Sequence, residues 1–193
     1  MSGLTNDRDG TPSALTIRPA VPRELDLLQA IDDDATTLYA EYGLSIELGD
    51  EHEFVRAELA RWRRSAEAGR ASLAIDENGA GLAFAALDVL DGEPYLDQLA
   101  VRRSAMRRGI GQRLLARSVE VARAIGGSAL WLTTYDHLPF NGPYYERHGF
   151  VVVPESAWSE GIRRHIEEQR RFLPAPSHRV AMRRPLASDA APL

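Results

Sequence analysis

Between Tyr95 and Ile125 the chain reads YLDQLAVRRSAMRRGIGQRLLARSVEVARAI, and the residues best suited to chemistry lie near its centre. Arg102, Arg103, Arg107 and Arg108 form a basic turn that closes on Gly109-Ile110-Gly111. Upstream, Leu96, Leu99 and Val101 mark a short apolar strand. Downstream, Ile110, Leu114, Leu115, Val119, Ala122 and Ile125 recur at helical spacing, so a helix starts at the glycines. A helix N-terminus offers unpaired backbone N–H groups and the positive end of a dipole, and glycine lets a phosphate approach that backbone. Strand, basic glycine turn and helix together predict a pyrophosphate cradle. The competing reading is a tight turn that only leads into a packed helix.

Other phosphate motifs fit less well. A P-loop needs Gly-Lys-Ser/Thr at the helix start, and this chain has no lysine; all 23 basic side chains counted as Lys or Arg are arginines. A dinucleotide fingerprint needs a third glycine or alanine where Leu114 stands. His52-Glu53-Phe54-Val55-Arg56 begins like a zinc-binding His-Glu-x-x-His, but Arg56 holds the second ligand's place, and no metal is expected. The absence of cysteine excludes disulfides and a cysteine acyl-enzyme. A net charge of −5 argues against a general nucleic-acid binder. No apolar run reaches membrane-spanning length and no targeting segment is evident, so neither nucleic acid nor membrane is expected as a partner and the cytoplasm is the default compartment.

The elements that would position the cradle follow from the chain in order. At 193 residues, 44 % of them apolar, one domain with a sizeable core is expected. Residues 1–13 and 187–193 read as disordered tails around a single domain at 14–186. Ala14 to Ala20 alternates like an edge strand, and Pro22 opens a helix carrying Leu25, Leu28 and Ile31. The run Asp32-Asp33-Asp34 reads as a solvated face or helix end. Thr37 to Gly43 places Tyr39, Glu41 and Tyr42 before a second helix at Glu51 to Ala68. Ala71–Asp76 and Gly81–Leu87 read as strands joined by an Asn-Gly turn, and Asp91-Gly92 leads into the strand ending at Val101. Three meandering strands before a strand–helix–strand crossover is an α+β order. The return strand is Ser128 to Thr134, followed by a buried-type strand at Val151–Val153, a charged helix at Glu160–Phe172 and a last strand at His178–Arg183. His148 and His165 read as surface residues.

The segment Asn141-Gly142-Pro143-Tyr144-Tyr145-Glu146-Arg147-His148-Gly149-Phe150 adds a second motif. Met106-Arg107-Arg108-Gly109-Ile110-Gly111 resembles the Arg/Gln-x-x-Gly-x-Gly/Ala motif of the GNAT superfamily of acyl-CoA-dependent N-acyltransferases, with Met106 replacing its first residue. Asn141 and Tyr145-Glu146-Arg147-His148-Gly149-Phe150 resemble the same family's Asn and Tyr-x-x-x-Gly-Phe, in the right order and spacing. The resemblance implies an α+β, GNAT-type fold, a mixed and mostly antiparallel central sheet flanked by helices. It also implies transfer of an acetyl group from acetyl-CoA to a primary amine in a ternary complex. Leu99, Ala100 and Val101, the segment Met106 to Gly111 including Arg107, Arg108, Gly109 and Ile110, and Asn141 with Tyr145 would hold the cofactor.

The resemblance gives Tyr145 the acid role beside the thioester sulfur, with a one-residue shift to Tyr144 as the alternative. A carboxylate on the cradle strand would serve as base. Side-chain alternation puts Glu93, Tyr95 and Asp97 on one face there, making Asp97 and Glu93 the candidates. The loop and helix after the first helix cover the acceptor site in this family, so Tyr39, Glu41 and Tyr42 would wall a small-molecule amine; tyrosines packing at a helix end is the plainer reading. Asp136 and His137, following the return strand, would orient the acceptor or relay a proton. A protein or peptide acceptor and a non-catalytic acyl-CoA-binding module remain alternatives. A homodimer through the Ile162/Ile166 stripe or the last strand is a further expectation.

Overall fold

The computed structural model describes residues 15–186, so the two tails expected from the sequence, and Ala14, lie outside the described residues. The elements run β1 (Thr16–Pro19), α1 (Leu25–Thr36), α2 (Glu53–Glu67), β2 (Ala71–Ile75), β3 (Gly81–Leu90), β4 (Glu93–Val101), α3 (Ile110–Ile125), β5 (Ala129–Tyr135), α4 (Gly142–Glu146), β6 (Val151–Val153), α5 (Glu160–Phe172) and β7 (Arg179–Pro185). Among the described residues the strands form one seven-stranded sheet of order β1-β2-β3-β4-β5-β7-β6. Only the β4–β5 contact is parallel, because only it is joined through a crossover helix, α3. The β3–β4 hairpin turns on Asp91-Gly92, where φ is 50° and 84°, the paired positive angles of a twist-matched two-residue turn.

Apolar stripes on both sides of the sheet set the layers. Leu114, Leu115, Val119 and Ala122 of α3 pack with Leu87, Leu96, Leu130 and Met182 on one face, where Tyr145 of α4 joins them. Leu28 and Ile31 of α1 and Trp62 of α2 pack on the other with Leu73, Phe84 and Ala100. Ile162 and Ile166 of α5 cover that second face further along, against Tyr95, Trp158 and Ala181. The α5 stripe is therefore consumed inside the chain, and β7 is interior, paired on both edges. Neither is free for the dimer contact expected of them. The edge strand β6 likewise departs from expectation: Val151 and Val152 are exposed and only Val153 is buried. No helix among the described residues is long and apolar enough to cross a membrane.

Two irregularities in β4 matter for the site. Its register with β3 passes from Leu87↔Leu96 to Ala86↔Gln98, which leaves Asp97 as an extra, bulged residue. Its recorded register with β5 is confined to Tyr95↔Trp131, beyond which the two strands diverge.

Candidate active site

A cleft of about 990 Å³ opens where β4 and β5 part, and both expected ends of a transfer reaction line it. The first end is the glycine turn. A short 3-10 turn at Arg103–Ala105 leaves β4, Arg107 takes φ 60°, and Gly109 takes φ 75° as the residue before α3. No side chain caps α3 and its first turn holds no acid, so its N–H groups and dipole face the cleft unopposed. A Cβ at Gly109 would meet nothing within 4 Å, whereas one at Gly111 would stand 3.4 Å from the Tyr144 hydroxyl. These groups fit a pyrophosphate. Arg102 is committed to the carbonyls of Gly81 and Ala30, and Arg103 pairs with Glu41. Arg107 and Arg108 are exposed beside the turn. Leu99 and Val101 pack toward α3, Ala100 toward α1, and Met106 is half-buried at the turn.

The α4 aromatics line the same cleft. Tyr145 is 9 % exposed and lines the cleft, its ring edge-on to Tyr144 and Phe150. Burial pushes its hydroxyl far above the ordinary tyrosine range, with Tyr144 adding to the effect, so it stays protonated. Tyr144 is half-buried against His148, and its hydroxyl has no hydrogen-bond partner among the described residues. Asn141 does not cap α4; its Nδ2 donates to the Tyr39 hydroxyl at 3.1 Å, tying the Thr37–Tyr42 segment to α4. Phe140 lies edge-on between Tyr39 and Tyr42. Tyr39 thus faces the cleft, while Tyr42 and Glu41 are exposed at its rim.

The second end is a wall of carboxylates. Asp97 Oδ1 accepts from Arg61 Nε at 2.9 Å, and its side chain is 3 % exposed. Among the described residues its Oδ2 makes no close hydrogen bond, nor does the Trp62 indole N–H, whose nearness, against the burial that raises it, still draws the Asp97 carboxyl downward. The bulge turns Gln98 to the same side, where it donates to Asp32 at 2.6 Å. Glu58 completes the wall from α2, 3.9 Å from Arg61 Nη2 and 21 % exposed. Burial pushes the Asp32 carboxyl up to about 7, helped by Asp33 and, in a smaller part, Asp97. Burial and the charges of Asp32 and Asp97 raise Glu58 well above the carboxylate range, and burial raises Asp97 against the pull of Arg61. Behind the wall His165 is buried, accepts from Gln169 and is pushed down to about 3 by burial and Arg61, so it is neutral. It is no surface residue.

The remaining candidates lie elsewhere. Glu93 sits at the other end of β4 from the glycine turn, where its carboxylate accepts from Ser128 N, Ser128 Oγ and Ala129 N. These contacts tie Glu93 to the start of the neighbouring strand, so the expected pairing of Glu93 with Asp97 fails: three residues of the strand, Pro94, Tyr95 and Leu96, separate them. Asp136 and His137 are exposed just past β5, outside the cleft wall. With His178 they form a cluster whose ligand atoms lie within 4.8 Å of one another; Asp136 Oδ1 is 2.9 Å from His178 Nδ1 and 3.3 Å from His137 Nδ1.

Sequence reasoning missed Asp32, Glu58 and Gln98, though a signal was there. Asp32 follows Leu28 by four residues and Ile31 by one, and α1 continues through it to Thr36. Glu58 lies midway between Phe54 and Trp62 on the buried stripe of α2. His165 sits between Ile162 and Ile166 on that of α5. A polar residue on an apolar stripe is the sign of a buried polar site.

Solved structures share this architecture. A GNAT-family acetyltransferase from Staphylococcus aureus Mu50 is 16 % identical, with TM-score 0.66 over 90 % of this chain and 100 % of that one. The yncA protein from Salmonella typhimurium, solved with its cofactor acetyl-CoA, is 20 % identical, with TM-score 0.61 over 94 % and 99 %. N-acetylglutamate synthase from Neisseria gonorrhoeae, complexed with coenzyme A and N-acetyl-glutamate, is 21 % identical, with TM-score 0.64 over 92 % of this chain. The chain spans only about a third of that protein, 36 % of its length. At such identities these likenesses establish the fold. The family itself is given by the model of the acetyltransferase (GNAT) family, which matches residues 29–150, well over half of the sequence, and the chain belongs to that family.

Proposed function

We propose that this family member transfers an acetyl group from acetyl-CoA to a primary amine of a small molecule, by direct attack in a ternary complex. One observation carries the reading. A single cleft joins an end built for anions, at Arg107–Gly111, to an end built for cations, at Asp32, Glu58 and Asp97, and Tyr145 lines it as well. The Tyr39–Asn141 bridge, with Phe140, covers part of the cleft, which favours a small acceptor over a peptide. The coenzyme A and acetyl-CoA bound to relatives of the same fold support the choice of donor.

Acetyl-CoA supplies an acyl carbon activated as a thioester. The chain's residues do the rest. Backbone N–H groups at the start of α3 and the arginines beside them hold the pyrophosphate, which fixes the thioester in the gap between β4 and β5. An ammonium entering the far end meets the unpartnered Oδ2 of Asp97, which takes one proton and frees the nitrogen lone pair. Arg61, bonded to Oδ1, keeps that carboxyl oriented. As the carbon–nitrogen bond forms and the carbon–sulfur bond breaks, Tyr145 gives its proton to the departing thiolate and regains one from the newly acylated nitrogen. Burial keeps this phenol protonated, so its hydrogen is present to be handed to the sulfur, and the loss is made good by the proton from nitrogen.

Calorimetric titration of acetyl-CoA into the purified protein tests this. Binding in the micromolar range is expected, abolished in Gly109→Glu, whose bulk and charge would fall on the cradle, and retained in Tyr145→Phe. Thiol release with an accepted amine should slow roughly a hundredfold in Tyr145→Phe, at little cost in acetyl-CoA affinity. No heat with acetyl-CoA or longer acyl-CoAs would remove the cradle reading.

A further inference from the structure

We infer that the acceptor carries two cationic nitrogens on one flexible chain: while one reacts beside Asp97, the other is held between Asp32 and Glu58. This rests on the transferase reading above and names the kind of substrate that reading leaves open.

The charges facing the acceptor end exceed what one reacting amine requires. Asp32, Glu58 and Asp97 line the inner wall, and Asp33 and Asp50 continue it toward the mouth. Two guanidiniums stand near them and offset part of that charge. Arg61 lies behind the wall, bonded to Asp97 and also close to Glu168. Arg179 lines the cleft, bonded to the neutral Gln169 and lying over the Tyr135 ring, 4.7 Å from its centroid, and its charge acts on Glu58. Five carboxyls of the wall and mouth thus stand against two cations. The reacting nitrogen must become neutral to attack, so it cannot remain as the counter-charge. A second ammonium can.

Geometry assigns the two positions. Asp97 sits on β4, the strand that runs into the glycine turn, and its buried Oδ2 makes no hydrogen bond among the described residues. Asp32 comes from α1 and Glu58 from α2, so the second site is set back from the strand, along the two helices that cover this face of the sheet. Asp32 is anchored by a single bond from Gln98, which leaves acceptor capacity unused. Burial and mutual repulsion keep these carboxyls above their ordinary values, a strain that an ammonium between them relieves. The same wall repels an acceptor that carries its own carboxylate, such as an amino acid.

The test compares three chain-matched series, α,ω-diamines from diaminopropane to diaminooctane, the corresponding monoamines and the corresponding ω-amino acids. Each is assayed by thiol release and, independently of turnover, by calorimetric titration into the coenzyme A complex. The best diamine should exceed its monoamine in both kcat/KM and affinity by roughly tenfold or more, with the amino acid weakest. Asp32→Asn combined with Glu58→Gln should bring the diamine-to-monoamine ratio close to one, and circular dichroism with coenzyme A binding checks that the variant is folded. Equal diamines and monoamines, a preference for the amino acids, or a diamine preference that survives the double variant would each overturn the inference. Turnover of monoamines alone would do so while leaving the transferase reading intact. Selective diamine binding without turnover would do the reverse, upholding the cation site and removing the transferase reading. A failure of every series both to bind and to react would overturn the inference.

Discussion

A carboxylate where Asp32 stands is held by one hydrogen bond, from Gln98, and shares its surroundings with Asp33, Asp97 and Glu58. Its carboxyl titrates at about 7, against about 3.9 in an unfolded chain. Between those values the folded protein binds the extra proton, so this residue lowers stability as pH rises from about 4 to about 7, and the cost is fully present above that. Asp32→Asn should therefore melt higher than the parent at alkaline pH, by about 2–4 °C per kcal/mol relieved, with the gain shrinking as the pH falls toward 4. Function runs the other way. Holding an ammonium requires the ionised form, so kcat/KM for a diamine should rise with pH through about 7 in the parent, and the part of that rise owed to Asp32 should be lost in Asp32→Asn, leaving what Glu58 and Asp97 contribute. Paired melting curves and pH–rate profiles read both effects. A variant that gains no stability at high pH would show that the carboxyl ionises there without penalty.

At the level of elements, β4 separates two carboxylates by role. Asp97 is placed by a bulge, and Glu93 by the start of the strand, where it receives three hydrogen bonds, two from Ser128 just before β5 and one from Ala129 at its start. Gly127 allows that close approach, since a Cβ there would stand 2.0 Å from Pro94 Cδ. Against the burial that raises it, the bonds from Ser128 and Ala129 hold the Glu93 carboxyl below the usual carboxylate range. Its stabilising effect is thus present above that range and lost as the pH falls through the lowered value. Glu93→Ala should destabilise by about 1–3 kcal/mol while leaving acetyl-CoA affinity and turnover per folded molecule as they were; a turnover loss with unchanged stability would return Glu93 to the site. The contrast shows what the sequence could disclose. The glycine turn proposed as the cradle was legible because strand, turn and first helical residues are contiguous, and its glycines and arginines announce themselves locally. Most strands and helices were legible within a residue or two for the same reason. The carboxylate wall was not, because Asp32, Glu58 and Asp97 come from three elements, and the bulge that places Asp97 and Gln98 together leaves no mark in a single strand's alternation. Glu93 was misread through that alternation, which says which face a residue occupies but not which end of the strand does the chemistry.

The molecule as a whole is a sheet with a parting in it. Strands β1 to β4, backed by α1 and α2, form one antiparallel part, and β5, β7 and β6, backed by α5, form the other. Past Tyr95↔Trp131 the two parts are held by side chains, among them the Tyr95–Thr133 hydroxyl pair at 2.6 Å and the Asn141–Tyr39 bond. On the proposed reading, a donor lies in the parting with its pyrophosphate on α3, touches both parts and replaces pairing that the strands do not make. Binding to the folded state alone stabilises it by about 2.7 kcal/mol at a hundredfold excess over the dissociation constant, which for a chain of this size is roughly 5–10 °C in melting temperature. The melting temperature should therefore climb with the logarithm of coenzyme A concentration. Hydrogen exchange should slow most at the start of α3 and along the diverging halves of β4 and β5, the segments least supported without it. Pantetheine, which lacks the pyrophosphate, should give only a small shift at equal concentration, and Gly109→Glu should remove the coenzyme A shift altogether. A pantetheine shift as large as that of coenzyme A would move the binding energy away from the glycine turn and onto the walls of the parting.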